Sequence, residues 1–173
     1  VPALERRGWL QGKADPVVEL TPEGERESLR AHVIVCGYGP VGRVLQESLA
    51  KCNIGALILE LNADTVHEMV GHGILGLFAD ARHPESLEMA GVERARGIAF
   101  TFPDVDAAIA GMRLARQRNP EILVYARAKF TEEADRLREE GADHVFHDEQ
   151  ESGQALIKSV LNLSLIHISE PTR

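Results

Sequence analysis

The sequence predicts an α/β fold with a doubly wound parallel sheet, and three observations support this prediction. From His32 onward, short apolar runs alternate six times with amphipathic stretches, which is a βα rhythm. The runs are continuously apolar, as is typical of strands buried on both faces of a parallel sheet. Residues that start or end helices fall between them, such as Pro84, Asp104 and Gly141. Because right-handed crossovers leave few topologies, we expect the strand order 3-2-1-4-5-6.

The elements follow one another without interruption. The predicted strands are HVIVC, ALILE, ILGLFA, GIAFTF, ILVYAR and HVFH. The predicted helices are VGRVLQESLAKC, ADTVHEMVGH, PESLEMAG, DVDAAIAGMRLARQRN, TEEADRLREEG and ESGQALIKSVLNL. Residues 32–163 are therefore expected to form one domain, whose size suits a single core.

The two ends of the chain differ from this domain. Residues 1–31 are rich in charge and contain three prolines, so we interpret them as a linker from an upstream domain. The alternative is a small hairpin or helix that packs on the domain. We expect residues 164–173 to be a non-native tail, because they continue no helical periodicity, and the start at Val1 fits a fragment of a longer protein.

Composition narrows the class of function. Of 173 residues, 44% are hydrophobic and 27% charged, as in a folded α/β domain, and the formal net charge is −8. A net negative charge without a basic cluster argues against nucleic acid as the partner. Cys36 and Cys52 are predicted too far apart for a disulfide, which indicates reduced thiols and a cytosolic setting.

The strongest motif is a G-x-G-x-x-G sequence formed by Gly37, Gly39 and Gly42 between the first strand and the first helix. In this motif the first glycine permits a tight turn, the second lets a phosphate approach the backbone, and the third lets the helix pack against the strand. The phosphate binds free N–H groups at the helix N-terminus. Pro40 removes one such donor but suits the first helical turn.

An acidic residue at the end of the next strand completes this Rossmann-type pattern. Glu60 follows Gly42 by eighteen positions. Its carboxylate is expected to accept hydrogen bonds from ribose hydroxyls and to repel a 2′-phosphate. The sequence therefore favours NAD(H), AMP, ADP or ATP over NADP(H).

Ligands of such sheets bind beyond the carboxyl ends of the strands, which directs attention to three further residues. Asp80 ends the third predicted strand and is expected to accept from an adenine amino group or a ribose hydroxyl; the alternative is that it caps the next helix. Thr101 ends the fourth strand. Arg127 ends the fifth strand and can neutralise phosphate; the alternative is an ion pair with Glu149 or Glu151.

Taken in order, the segments CGYGPVG, LILELN, ADA, TFPD, VYARA and GADHVFHDE resemble the RCK domain, also called the Trk-type N-terminal domain. The likeness spans residues 32–163 and is greatest to the cytosolic domain of Kef-type cation:proton antiporters. It implies a regulatory domain that binds AMP, NAD(H) or a related nucleotide. Carried over by motif, the implied contacts are Gly37, Tyr38, Gly39, Pro40, Val41, Gly42, Glu60, Asp80, Ala81, Thr101 and Arg127, with Glu149 near the same cleft.

The resemblance also implies partners. It implies a transmembrane antiporter domain in the same chain, a cytoplasmic position at the inner membrane, and a homodimer formed through the helix after the sixth strand. The sequence supports the last point, because Ala155, Leu156, Val160, Leu161 and Leu163 occupy more of helix 152–163 than the stripe that covers a sheet edge.

The sequence also contains patterns typical of other functions. Tyr125 and Lys129 have the spacing of a short-chain dehydrogenase pair, but the segment reads as a strand, which separates them, so we expect no catalysis. The histidine pairs, His67 with His72 and His144 with His147, lack good metal-ligand spacing, so we expect no metal. The remaining alternative is a free-standing regulatory subunit of a Trk-type potassium-uptake system.

Overall fold

The computed structural model describes residues 17–19 and 23–168. The strands are β1 (Val17–Glu19), β2 (Val33–Cys36), β3 (Ala56–Glu60), β4 (Gly76–Ala79), β5 (Gly97–Phe100), β6 (Leu123–Ala128) and β7 (His144–His147). The helices are α1 (Glu23–Ser28), α2 (Pro40–Lys51), α3 (Ala63–Gly71), α4 (Pro84–Met89), α5 (Val105–Arg118), α6 (Thr131–Glu139) and α7 (Asp148–Ile168), with a 3-10 turn at Val92–Arg94.

The strands form one sheet in the order β1-β4-β3-β2-β5-β6-β7. Strands β2 to β7 are parallel and are the six predicted strands, so the predicted order 3-2-1-4-5-6 is confirmed. Strand β1 was not predicted; it pairs antiparallel with β4, with Val17 opposite Ala79. The order reverses between β3 and β5 around the central β2, and ligands of this fold class bind at such a point.

Two apolar layers enclose the sheet. One contains Ile34 and Phe100 from the strands and packs against α4, α5 and α6. The other contains Val35 and Ile58, and packs against α3 and partly buried residues of α2. Because alternate residues of a strand point to opposite faces, the continuous apolar runs supply both layers.

The first helix is fixed to the amino-terminal edge of the sheet. The Arg94 guanidinium donates from Nε to the carbonyl oxygen of Leu29 at 3.0 Å and from Nη2 to that of Arg26 at 3.1 Å, near the end of α1. The Arg26 side chain is itself buried, and its Nη1 donates to the Met89 carbonyl at 3.4 Å. Within the segment interpreted as a linker, residues 17–19 and 23–31 thus pack on the domain, which is the alternative left open above. Residues 1–16 and 20–22 of this segment lie outside the described residues.

The last helix is longer than expected and stands apart from the core. It runs over 148–168 instead of 152–163 and includes five residues of the predicted tail, while 169–173 lie outside the described residues. Leu156, Ile157, Val160 and Leu161 are all more than half exposed.

None of the helices in the described part of the chain is long and apolar enough to cross a membrane. Cys36 and Cys52 are free thiols, and burial raises the pKa of Cys36.

Candidate nucleotide-binding site

A cleft of about 390 Å³ opens at the carboxyl ends of the parallel strands. It lies where the strand order reverses, so the loops after β2, β3, β4 and β5 reach it, together with Arg127 near the end of β6. Its lining comprises Cys36, Gly37, Gly39, Pro40, Val41, Leu59, Glu60, Leu61, Ala79, Asp80, Ala81, Arg82, Thr101, Phe102, Pro103, Asp104, Ala107 and Arg127.

The glycine loop forms one wall of the cleft, and its three glycines have different roles. Gly37 has a φ of +96°, a conformation that L side chains rarely adopt. A Cβ added to Gly42 would lie 2.1 Å from the Gly37 carbonyl oxygen, so helix α2 can approach β2 only with glycine there. At Gly39, an added Cβ would meet no atom of the described residues within 4 Å. The packing of the described chain therefore explains Gly37 and Gly42 but not Gly39.

The loop leads directly into the N-terminus of α2. Gly39 is the N-cap residue, with no side-chain cap hydrogen bond, and Pro40 occupies the first turn. The backbone N–H groups of the first turn have no partner within the helix, and the helix dipole makes this end partly positive. Val41, in this turn, lines the cleft. The arrangement can receive an anion.

Thr101 contacts the backbone at the start of the glycine loop. Its hydroxyl lies 3.0 Å from the carbonyl oxygens of both Cys36 and Gly37, and the side chain is buried. Tyr38 points the other way, into the second apolar layer, and does not line the cleft. These contacts fix the path of the loop.

Glu60 is positioned by three backbone N–H groups. One carboxylate oxygen accepts from Tyr38 at 2.6 Å, and the other accepts from Leu61 at 2.8 Å and Asn62 at 2.9 Å. The contact to Tyr38 ties the end of β3 to the glycine loop. A carboxylate has about four acceptor sites, so Glu60 keeps capacity for a further donor.

Asp80 is held by a neighbour that sequence reasoning missed. Arg82 places its Nε 3.0 and 2.9 Å from the two carboxylate oxygens and its Nη2 2.6 Å from one of them. The Arg82 hydrogen bonds lower the pKa of Asp80. Asp80 does not cap α4, whose N-cap is His83, so that alternative is wrong. The sequence did contain a signal for this contact, because the basic residue Arg82 follows the acidic residue Asp80 by two positions.

Arg127 closes the opposite side of the cleft. It forms an ion pair with Asp148, with Nη2 2.6 Å from Oδ2, and its Nη1 donates to the Thr101 carbonyl at 3.2 Å. Asp148, by its hydrogen bond, raises the pKa of Arg127. The alternative pairing of Arg127 with Glu149 or Glu151 is therefore wrong, because the partner of Arg127 is Asp148. Glu149 does not line the cleft; its carboxylate lies 3.7 Å from Nε2 of His147.

Nine of the twelve predicted contact residues thus line one cleft, and Tyr38, Gly42 and Glu149 do not. Outside it, Tyr125 lies within strand β6 and stacks on His144, while Lys129 lies beyond the strand. Among the described residues, no group of three or more His, Cys, Asp or Glu side chains is placed to hold a metal ion.

Residues 33–148 match the family model of the TrkA-N domain. The chain belongs to this family. The resemblance to the RCK, or Trk-type N-terminal, domain is thereby confirmed. The matched segment of this TrkA-N domain contains the whole lining of the cleft.

Relatives of this TrkA-N domain include both channels and antiporters. It is 31% identical over 141 residues to "Probable potassium channel protein 2" of Methanocaldococcus jannaschii, which covers 79% of this chain and 41% of the relative. It is 28% identical over 153 residues to "Putative K(+) efflux antiporter KefB" of Alkalimonas amylolytica, which covers 88% of this chain and 23% of the relative. The chain thus spans less than half of either relative.

Solved structures share the fold. The crystal structure of the TrkA-N domain of the Escherichia coli inner membrane protein YbaL superposes with a TM-score of 0.73 at 28% identity, covering 76% of this chain and 97% of that one. An AMP-bound Kef C-terminal domain of Shewanella denitrificans has a TM-score of 0.67 at 23% identity, covering 76% of this chain and 80% of that one. The NAD-bound GsuK channel has a TM-score of 0.62 at 20% identity, covering 69% of this chain and 22% of that one. At these last two identities the likeness concerns the fold.

Proposed function

We propose that this chain is the ligand-sensing regulatory domain of a potassium or other monovalent cation:proton antiporter, and that it binds an adenine nucleotide to gate transport. AMP and NAD(H) are the foremost ligands, with ADP and ATP as further members of the class. The observation that carries the proposal is the open space at Gly39, beside an anion-receiving helix end.

The ligand class follows from the order of groups along the cleft. A glycine at position 39 gains its meaning when a phosphate approaches the backbone, because the described chain has room there for a side chain. Glu60, fixed beside the loop, suits ribose hydroxyls. Arg127 suits a phosphate charge on the other side. Phosphate and ribose together define a nucleotide.

We propose binding without turnover. Three charged side chains of the cleft are held in ion pairs: Asp80 pairs with Arg82, and Arg127 pairs with Asp148 at the edge of the cleft. The pairing lowers the pKa of both carboxyl groups. Groups held in their charged forms recognise charge, whereas a general acid or base needs a pKa near the working pH.

For the cellular setting, we propose a cytoplasmic position below a transmembrane antiporter domain that precedes Val1 in the same protein. The antiporter relatives, of which the chain matches less than a quarter, support this arrangement. A potassium channel is the second candidate, supported by the channel relative. A free-standing Trk-type subunit is a third. The gene sequence upstream of Val1 distinguishes them by the number of apolar spans that it encodes.

We further propose that the domain forms a homodimer through helix α7, over 152–163. Leu156, Ile157 and Leu161 of this helix are more than half exposed, and a second copy could cover them. A second exposed surface, an apolar groove of about 600 Å³ beside β5 and β6 that includes Phe146, also lies on this chain. A two-fold axis would let each copy cover the apolar surfaces of the other. A nucleotide that binds one arrangement of the two domains better than another would then gate transport.

The first test is binding of AMP, ADP, ATP and NADH by calorimetry to the wild type and to Glu60→Gln and Glu60→Ala. We expect at least one nucleotide to bind and both variants to weaken it by about 10- to 100-fold, since hydrogen bonds to a charged group contribute about 1.5–3 kcal/mol. Glu133→Ala is the matched control, because Glu133 also accepts two backbone N–H bonds, but away from the cleft. Silence of the wild type toward all four nucleotides contradicts the proposal.

The second test compares NADH with NADPH. We expect NADPH to bind about tenfold more weakly, because its 2′-phosphate would approach the Glu60 carboxylate. Glu60→Gln should narrow this difference, since it removes the negative charge. Equal affinities of the two dinucleotides for the wild type would mean that Glu60 does not face the ribose.

A further inference from the structure

The pair formed by Asp80 and Arg82 has an unusual distribution of exposure. The Asp80 carboxylate is only 15% exposed, whereas the Arg82 side chain is 52% exposed and lines the cleft. Besides the side-chain contacts, the Arg82 backbone N–H donates to Asp80 at 2.9 Å. Asp80 therefore accepts from three N–H groups of a single residue, and the Nε hydrogen is shared between its two oxygens.

This pairing changes which of the two side chains meets a ligand. Both carboxylate oxygens of Asp80 are engaged by Arg82, and the Asp80 side chain is the less exposed of the two. A ligand donor would have to displace the guanidinium to reach Asp80. The guanidinium itself is planar, and a fork held edge-on by a carboxylate keeps its flat faces free.

The strand order shows which part of a nucleotide lies here. The glycine loop follows β2, Glu60 ends β3, and Asp80 follows β4, the next strand outward. Neighbouring strands lie about 4.8 Å apart, so Arg82 belongs roughly 10 Å to one side of the phosphate loop, with the ribose site between them. A nucleotide with its phosphate on the loop and its ribose at Glu60 directs its base toward β4.

From this geometry, and resting on the proposed function, we infer that Arg82 is the contact for the adenine base, with its guanidinium face stacked on the ring. Asp80 is a positioning residue that holds the plane of Arg82 and makes no direct contact with the base. The site thereby recognises an aromatic base by a cation over its π face. Phosphate recognition falls to the loop and to Arg127.

The test uses fragments of the nucleotide. Binding of adenosine, ribose 5-phosphate and AMP is measured by ligand-observed NMR and calorimetry on the wild type and on Arg82→Ala, with unfolding temperatures measured in parallel. We expect adenosine and AMP to lose about 5- to 30-fold in affinity, the range of a desolvated cation–π contact, and ribose 5-phosphate to be unchanged. Arg82→Lys should lose most of the same affinity, because it keeps the charge but not the planar face.

The matched control is Arg113→Ala, since Arg113 is also more than half exposed and paired with a carboxylate, Glu140, but lies outside the cleft. It should bind all three ligands as the wild type does. The positioning role of Asp80 is tested by Asp80→Asn. This substitution alone should lower the affinity for adenosine, but adding it to Arg82→Ala should have no further effect.

Several outcomes would overturn the inference while leaving nucleotide binding intact. One is an Arg82→Ala protein that binds adenosine as tightly as the wild type. Another is an Arg82→Ala protein that loses affinity selectively for ribose 5-phosphate, or for NADPH but not for NADH, which would assign Arg82 to a phosphate. A further loss on adding Asp80→Asn to Arg82→Ala would give Asp80 its own ligand contact. A wild type that binds none of AMP, ADP, ATP and NADH would instead refute the proposed function.

Discussion

Replacing Gly42 by alanine is expected to destabilise the fold by about 1–3 kcal/mol or more, whereas the same change at Gly39 should cost at most about 1 kcal/mol of stability and weaken nucleotide binding by about tenfold or more. The added Cβ at position 42 would stand 2.1 Å from the Gly37 carbonyl oxygen and 3.1 Å from Thr101 Oγ1. The first of these is a backbone atom, so helix α2 must move away from β2. Overpacking of a tight contact costs about 1–3 kcal/mol and sometimes more, a large part of the roughly 5–15 kcal/mol that stabilises a domain.

Gly39→Ala serves as the internal comparison for this experiment. Its φ of −72° is open to any residue, and the described chain leaves room for the methyl group. Alanine is a poorer N-cap than glycine, so a loss of up to about 1 kcal/mol is expected. The methyl group would, however, occupy the place of the phosphate, and AMP affinity should fall by about tenfold or more.

Urea unfolding and AMP calorimetry on both variants decide the matter. The expected pattern is a lowered midpoint for Gly42→Ala and a near-normal midpoint with weak binding for Gly39→Ala. A Gly39→Ala protein that binds AMP like the wild type would remove the reason for glycine in the loop. A Gly42→Ala protein as stable as the wild type would contradict the close approach of α2 and β2.

The strand order and most of the cleft followed from local patterns in the sequence. Continuous apolar runs separated by amphipathic helices specify a parallel sheet, and such a sheet has few topologies. Its carboxyl edge then collects the strand ends, so that Glu60, Asp80, Thr101 and Arg127 share one cleft. These residues are far apart in the chain, yet the topology alone brings them together.

The missed features depend on contacts that local patterns do not encode. Strand β1 has three residues and pairs with a strand about sixty positions away, and its apolar pair Val17 and Val18 is too short to indicate a partner. Asp148, and not Glu149, reaches Arg127 because α7 begins at that residue, four positions earlier than its apolar pattern indicates. The pairing of Arg82 with Asp80 depends on a rotamer. In each case the sequence shows which residues are present, but it does not show which partner each residue contacts.

The largest change in assembly is expected from the double variant Leu156→Asp, Val160→Asp, which should turn a dimer into a monomer. The two side chains are 66% and 52% exposed in the single chain and lie one helical turn apart, so they share a face of α7. In the proposed dimer they are buried against the second copy, and a buried unpaired carboxylate costs several kcal/mol. Because neither side chain packs in the domain core, the thermal stability of each separated domain should change little.

Sedimentation velocity at tens of micromolar, with and without AMP, measures this prediction. Lys158→Asp is the matched control: it also changes the net charge by −2, and at 100° per residue it lies about 200° around the helix from Leu156. The control should remain dimeric and the double variant should not. If the wild type is itself monomeric, α7 is not a dimer interface in the isolated domain, and gating by rearrangement of such a dimer is contradicted for it. If the control dissociates as readily as the double variant, accumulated charge and not the apolar face of α7 governs assembly.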